Sequence, residues 1–243
     1  MSAILTIARR ELGGYFATPV AAVFIVIFLA LQGALTFNLG QFFERNQADL
    51  VPFFNFLPWV LLLLVPALTM RLWAEERRAG TIEFLLTLPV TQTQAVIGKF
   101  LAAWAFTAIA IALTFPFVIT VNYLGHPDNG TIACGYLGAL LLSASFLAIG
   151  GAVSASTKNQ VVAFVLAVAL CFVTVVASTT LVVNFLSTNA PGLSAIVSRI
   201  SVADRYQDFT HGVIELRDVI YFESLISFFL FLNAVVIDHK RAS

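Results

Sequence analysis

Six apolar runs with almost no charge, each close to the length of a bilayer crossing, decide what this chain can become. They span residues 20–40, 53–73, 100–122, 132–153, 161–184 and 219–237. A transmembrane helix needs about 20 apolar residues. In hydrocarbon a chain must satisfy its own backbone polar groups, so such runs are expected to be helices. Sixty per cent of the 243 residues are apolar, 11% are charged, and mean hydropathy is +0.94, outside the range of soluble globular domains. No stretch is polar enough to form a separate soluble domain. The expectation is therefore all-α: a single polytopic membrane domain over residues 1–243. Zero net charge gives no reason to expect nucleic acid.

Local punctuation refines the spans. Pro58 and Pro66 fall inside the second, where lost backbone bonds predict kinks, and Pro116 lies near the far end of the third. The fourth is rich in small residues (Gly135, Gly138, Ser143, Ser145, Gly150, Gly151), which favours close helix packing in lipid. Cys134 and Cys171 lie in apolar segments and read as packing residues; no Cys/His cluster points to a metal.

The N-terminal residues do not read as a cleavable signal peptide, because Arg9, Arg10 and Glu11 interrupt the apolar run. Ile4, Leu5, Ala8, Leu12 and Tyr15 recur at helical spacing, with Arg9 and Glu11 off that face, predicting an amphipathic helix on the membrane surface. Before the sixth span, about 35 residues are too few to bury a core of their own. Ser201 with Asp204 resembles a capping box, Tyr206, Phe209 and Val213 share a face, and Gly212 offers a helix end, so short external amphipathic helices are expected. With the N-terminus in the cytoplasm, Arg9, Arg10, Arg71, Arg77, Arg78, Lys99, Lys158, Lys240 and Arg241 are cytoplasmic, nine of the 13 basic residues. That bias places both termini inside.

The densest run of charge, Glu75-Glu76-Arg77-Arg78, lies between the second and third spans and marks an aqueous boundary. A short helix over 81–88 is expected next. Gly80 or Thr81 can cap it, Glu83 falls in its first turn, and Pro89 ends it. Ile82, Leu85 and Leu86 form one apolar face, with Phe84 and Leu88 beside it. Two turns cannot span a bilayer. The physics allows a helix lying among headgroups or a plug for a groove on a cytoplasmic partner.

The chemistry that is missing tilts this choice. Gly98-Lys99 is followed by Phe100, and Thr93 stands where a phosphate-binding loop requires glycine, so ATP is not expected to be bound by that route. No His-Glu-x-x-His or Gly-x-Ser-x-Gly occurs. A hydrolase would have to rely on Glu223 with Asp218 and His211 near one interface. Glu223 is the only acid placed inside a span, and Gln32, Asn38, Asn55 and Asn233 are the other polar candidates for a substrate path. An ion-coupled carrier needs more than this. The energy source is expected on another chain, with 81–88 docking it.

These residues resemble the ABC-2 family of ATP-binding-cassette permeases, more narrowly the compact six-span members related to gliding-motility and nitrous-oxide-reductase-maturation permeases. Arg10-Glu11-Leu12 through Tyr15-Phe16-x-Thr18-Pro19 is similar to the family's connecting helix. Glu75-Glu76-Arg77-Arg78-x-Gly80-Thr81-Ile82-Glu83-x-Leu85-Leu86-Thr87-Leu88-Pro89-Val90 is similar to its coupling helix. Phe209-x-x-Gly212-Val213-Ile214-x-Leu216-x-Asp218-Val219-x-Tyr221-Phe222 is similar to the segment before its last span. The resemblance implies a dimer of permease chains with two copies of a cytoplasmic ABC ATPase, in a bacterial inner membrane. It implies no cofactor on this chain, with ATP and Mg held by the ATPase, and places any large periplasmic machinery on a further subunit. By the same resemblance Gly80, Thr81, Glu83, Phe84, Leu85 and Leu86 couple to the ATPase, framed by Glu75, Glu76, Arg77 and Arg78. The alternative function is a membrane anchor for an ATPase doing mechanical or maturation work without transport.

Overall fold

The computed structural model describes residues 3–80, 91–177 and 201–239, together with Thr179, Val182 and Thr188. Among them every regular element is helical. In chain order these are α1 (Ala3–Phe16), α2 (Pro19–Ala34) continuing into a π-helical turn (Leu35–Leu39), α3 (Val51–Thr69), α4 (Ala74–Ala79) and α5 (Gln92–Ala112). They are followed by α6 (Phe115–Leu124), α7 (Asn129–Ser156), α8 (Gln160–Val176), α9 (Val202–Thr210) and α10 (Leu216–His239).

The helix starts follow local chemistry. Pro19 opens α2, where its missing N–H has no helical partner to lose. Thr91 and Gln94 form a reciprocal capping box at α5, and the side chains of Asp128, Asn159 and Ser201 cap α7, α8 and α9. At Ser201 the hydroxyl accepts from the Asp204 N–H, the contact expected from the spacing. Gly212 follows α9 at φ +78°, a left-handed position suited to glycine.

Five segments are long and apolar enough to cross a membrane: Pro19–Leu39, Val51–Arg78, Gln92–Leu124, Asn129–Ser156 and Leu216–His239. Gln160–Val176 is apolar but only 17 residues long, and most of the rest of the expected 161–184 span lies outside the described residues. The helix that carries the expected 100–122 span starts earlier, at Gln92, because the capping box at Thr91 and Gln94 nucleates it there. It then breaks at Leu113 and Thr114, since Pro116 has no N–H for the Ala112 carbonyl. α3, by contrast, continues as one α-helix through Pro58 and Pro66. The Phe54 carbonyl that Pro58 cannot serve accepts instead from the buried Tyr206 hydroxyl of α9, at 3.2 Å.

Helix α7 is the centre of the bundle, packed against α3, α5, α8, α9 and α10. Its small residues let these neighbours approach. A Cβ on Gly138 would stand 2.6 Å from the Phe209 Cβ, and one on Gly150 would collide with the Thr69 side chain. One end of the bundle gathers α4 and the adjoining ends of α3, α5, α7 and α10. The other carries α9 and the turns after α2 and α6.

Candidate functional site at the charged end of the bundle

The six residues of α4 are too few to hold a helix alone. Their position is set from outside. Ser154, on the last turn of α7 and fully buried, accepts from the N–H groups of Trp73 (3.1 Å) and Ala74 (3.2 Å) and donates to the Met70 carbonyl (3.2 Å). One hydroxyl thus satisfies the backbone at the end of α3 and the start of α4, groups that would otherwise be orphaned. Arg77 donates to the Ala155 carbonyl at 2.8 Å, a second tie to α7.

The third tie is ionic. Lys99 of α5 is 3% exposed, and its Nζ donates to Glu76 Oε1 at 2.7 Å and to Glu11 Oε2 of α1 at 3.3 Å. Its ammonium also lies 5.2 Å from the centroid of the buried Trp73 ring. A lysine this deep is tolerable only with its charge matched. Burial opposes ionisation of Glu11, but the Lys99 ammonium and then Arg10 outweigh it and hold the carboxyl below its usual value. Glu11 was expected to lie off the packed face of α1. It belongs to that face, one turn beyond Ile7, which packs so closely on Gly98 that a Cβ there would be 2.8 Å from the isoleucine side chain.

Of the charged frame, Glu76 and Arg77 therefore point into the bundle, and Glu75 and Arg78 are exposed. Gly80 closes α4 at φ +71° with its N–H bonded to the Glu76 carbonyl. Thr81, Glu83, Phe84, Leu85 and Leu86, with the whole 81–88 stretch, lie outside the described residues. The chain is held again at Thr91, through the α5 cap and through Gln92, whose Nε2 donates to Asp238 at the end of α10 at 2.9 Å.

The path candidates do not converge. Gln32 is buried, donating to the Phe53 carbonyl at 2.7 Å, and among the described residues neither its Oε1 nor the Thr36 hydroxyl one turn on has a hydrogen-bond partner. Asn38 is exposed and bonds back to the Ala34 carbonyl. Asn55 lines a cleft of about 370 Å³ near the opposite end, with Trp59, Asp204 and Gln207. Asn233 is buried at the charged end, beside Lys99 and Trp73, around a cavity of about 10 Å³. Glu223 is exposed. Asp218, which just precedes the expected last span, lies in the first turn of α10, fully buried and paired with Arg205 at 2.9 Å.

Sequence reasoning placed Lys99 on the cytoplasmic side but missed the buried contacts that Lys99, Ser154 and Trp73 make there. A signal for Lys99 existed: Ala95, Val96, Ala102, Ala103 and Phe106 form a buried stripe on α5, and Lys99 sits within it. For Ser154, one serine among many on a helix of small residues, there was none.

Several long apolar helices packed on a small-residue centre, with their charges gathered at the ends, define a multi-pass membrane protein. A family profile described as ABC-2 family transporter protein matches residues 47–237. No match to an individual curated protein was found. The chain belongs to the ABC-2 family, as the membrane permease of an ATP-binding-cassette transporter, and membership implies an ATP-binding-cassette partner.

Proposed function

We propose that this chain is a six-span permease subunit that docks its ATPase through residues 81–88. The observation that carries this reading is the clamping of both flanks of that stretch. Before it, Ser154, Arg77 and Lys99 seat α4; after it, the Thr91 cap and the Gln92–Asp238 contact seat α5. A segment held on two sides at the charged end can pass force into four spans. Phe84, Leu85 and Leu86 would fill a groove on the partner, with Thr81, Gly80 and Glu83 setting the helix start and Glu75 and Arg78 facing the partner as exposed charges.

In this reading α1 lies on the inner surface and α8 begins the fifth span. Two permease chains associate, each seated on one of two ATPase copies that hold ATP and Mg. The charged end and both termini face the cytoplasm across a bacterial inner membrane, the placement implied by the resemblance to gliding-motility and nitrous-oxide-reductase-maturation permeases. The absence of a charge relay among the described span residues favours an amphiphilic or exported substrate. The scatter of the path candidates favours the second reading, a membrane anchor for an ATPase working without transport.

Co-purification from the native host in mild detergent tests the docking. The wild-type chain is expected to bring a P-loop ATPase that Leu85→Asp loses while remaining inserted. Retention of the ATPase by the variant would refute the assignment. Cysteines along 20–40 and 161–184 whose accessibility never changes with ATP would favour the anchor.

A further inference from the structure

We propose that Lys99 is a positioning residue that ties α1 to α4, so that a load on the 81–90 stretch reaches the first span through α1 as well as the second through α3. The inference rests on the docking reading and adds a route to it. The chain from Gly80 inward is short and hydrogen-bonded: the Gly80 N–H bonds the Glu76 carbonyl, and the Glu76 carboxylate receives Lys99 at 2.7 Å. The same ammonium holds Glu11 at 3.3 Å.

Helix α1 is otherwise fastened to α5, by Ile7 over Gly98 and by the Tyr15 ring stacked 5.3 Å from Phe106. Only Ala17 and Thr18 separate it from α2, with the Ala17 N–H bonded to the Gly13 carbonyl. A displacement of α1 therefore pulls directly on Pro19.

Charge is a poor choice if the site only needs filling. An apolar side chain of similar volume is often as stabilising as a buried ion pair, and it would grip neither acid. One ammonium between two carboxylates from separate helices ties the motion of α1 to that of α4, because parting either leaves a 3%-exposed lysine with one carboxylate in place of two.

The test uses the full chain with its ATPase in lipid nanodiscs, with Cys134 and Cys171 replaced by alanine. A spin label is placed at Glu75 on α4 or at Arg9 on α1, both exposed, and label mobility is compared between nucleotide-free and vanadate-trapped complexes. In the otherwise unmodified chain both labels are expected to respond. In Lys99→Met and in Glu11→Gln the Glu75 label should still respond and the Arg9 label should lose its response. Glu11→Gln keeps the Lys99–Glu76 pair, so it decides the matter if Lys99→Met does not fold. Lys99→Arg, which keeps the charge, should restore the Arg9 response. An Arg9 response of unchanged size in Lys99→Met or Glu11→Gln would overturn the inference with docking intact. Silence at both positions before either change would overturn docking itself, and the inference with it.

Discussion

Ser154→Ala removes one oxygen from the bundle and should loosen the mount of the 81–90 stretch more than any other change that small. The hydroxyl makes three hydrogen bonds, to the Trp73 and Ala74 amides and the Met70 carbonyl, at 3.1, 3.2 and 3.2 Å. The site is fully buried, so water cannot replace it without opening the α4–α7 contact. At about 1 kcal/mol each, three such bonds sum to about 3 kcal/mol, roughly a hundredfold in a local opening equilibrium. Alanine leaves almost no cavity, so the loss reports hydrogen bonding rather than packing. Hydrogen exchange in detergent reads it directly: the Trp73 and Ala74 amides should exchange about a hundredfold faster, with helix content unchanged. Ser143→Ala, which removes only a bond to Leu140 within α7, is the control and should leave those amides alone. Exchange at Trp73 and Ala74 that stays at the wild-type rate in Ser154→Ala would refute the claim that this hydroxyl seats α4.

Three further outcomes follow from the packing. Tyr206→Phe strands the Phe54 carbonyl and should cost about 1–2 kcal/mol in thermal unfolding. Adding Pro58→Ala, which supplies a helical N–H to that carbonyl, should return part of the loss. Acidification should release α1. The Glu11 carboxyl is held below its usual value, so its contribution is complete above the ordinary glutamate range and disappears as pH falls through the depressed value. Exchange of the α1 amides should rise over that interval and stay flat in Glu11→Gln. Gly138→Leu should destabilise by about 1–3 kcal/mol by forcing α9 from α7, whereas Gly13→Ala, with open space around it, should be neutral or gain up to about 1 kcal/mol from helix propensity, both read by thermal unfolding.

The helical class and the central role of α7 were legible in the sequence because hydrocarbon imposes length and composition on a span, and small residues mark where helices meet. The caps at Ser201 and Gly212 were legible for a similar reason, since both act within a few residues. The burial of Lys99 was not legible because its partners are distant, Glu11 88 positions away along the chain and Glu76 23 away. The burial of Asp218 was hidden likewise, made tolerable by Arg205. The partner that serves a carbonyl freed by proline was not legible either, since at Phe54 it is a residue 152 positions away. Of the coupling residues, Glu76 and Arg77 turn inward, Glu75 and Arg78 turn outward and Gly80 ends α4, while Thr81 through Leu86 lie outside the described residues.

In the proposed docking the ATPase sits on the charged end of the bundle, at the 81–88 stretch. Photo-crosslinking in intact cells tests it most directly, with a benzophenone amino acid placed at Leu85 or, at the opposite end of the bundle, at the exposed Asp128. A crosslink is expected from position 85 to a P-loop ATPase and none from position 128. A crosslink to the ATPase from 128, or its absence from 85 in a chain that still drives ATP-dependent function, would contradict it.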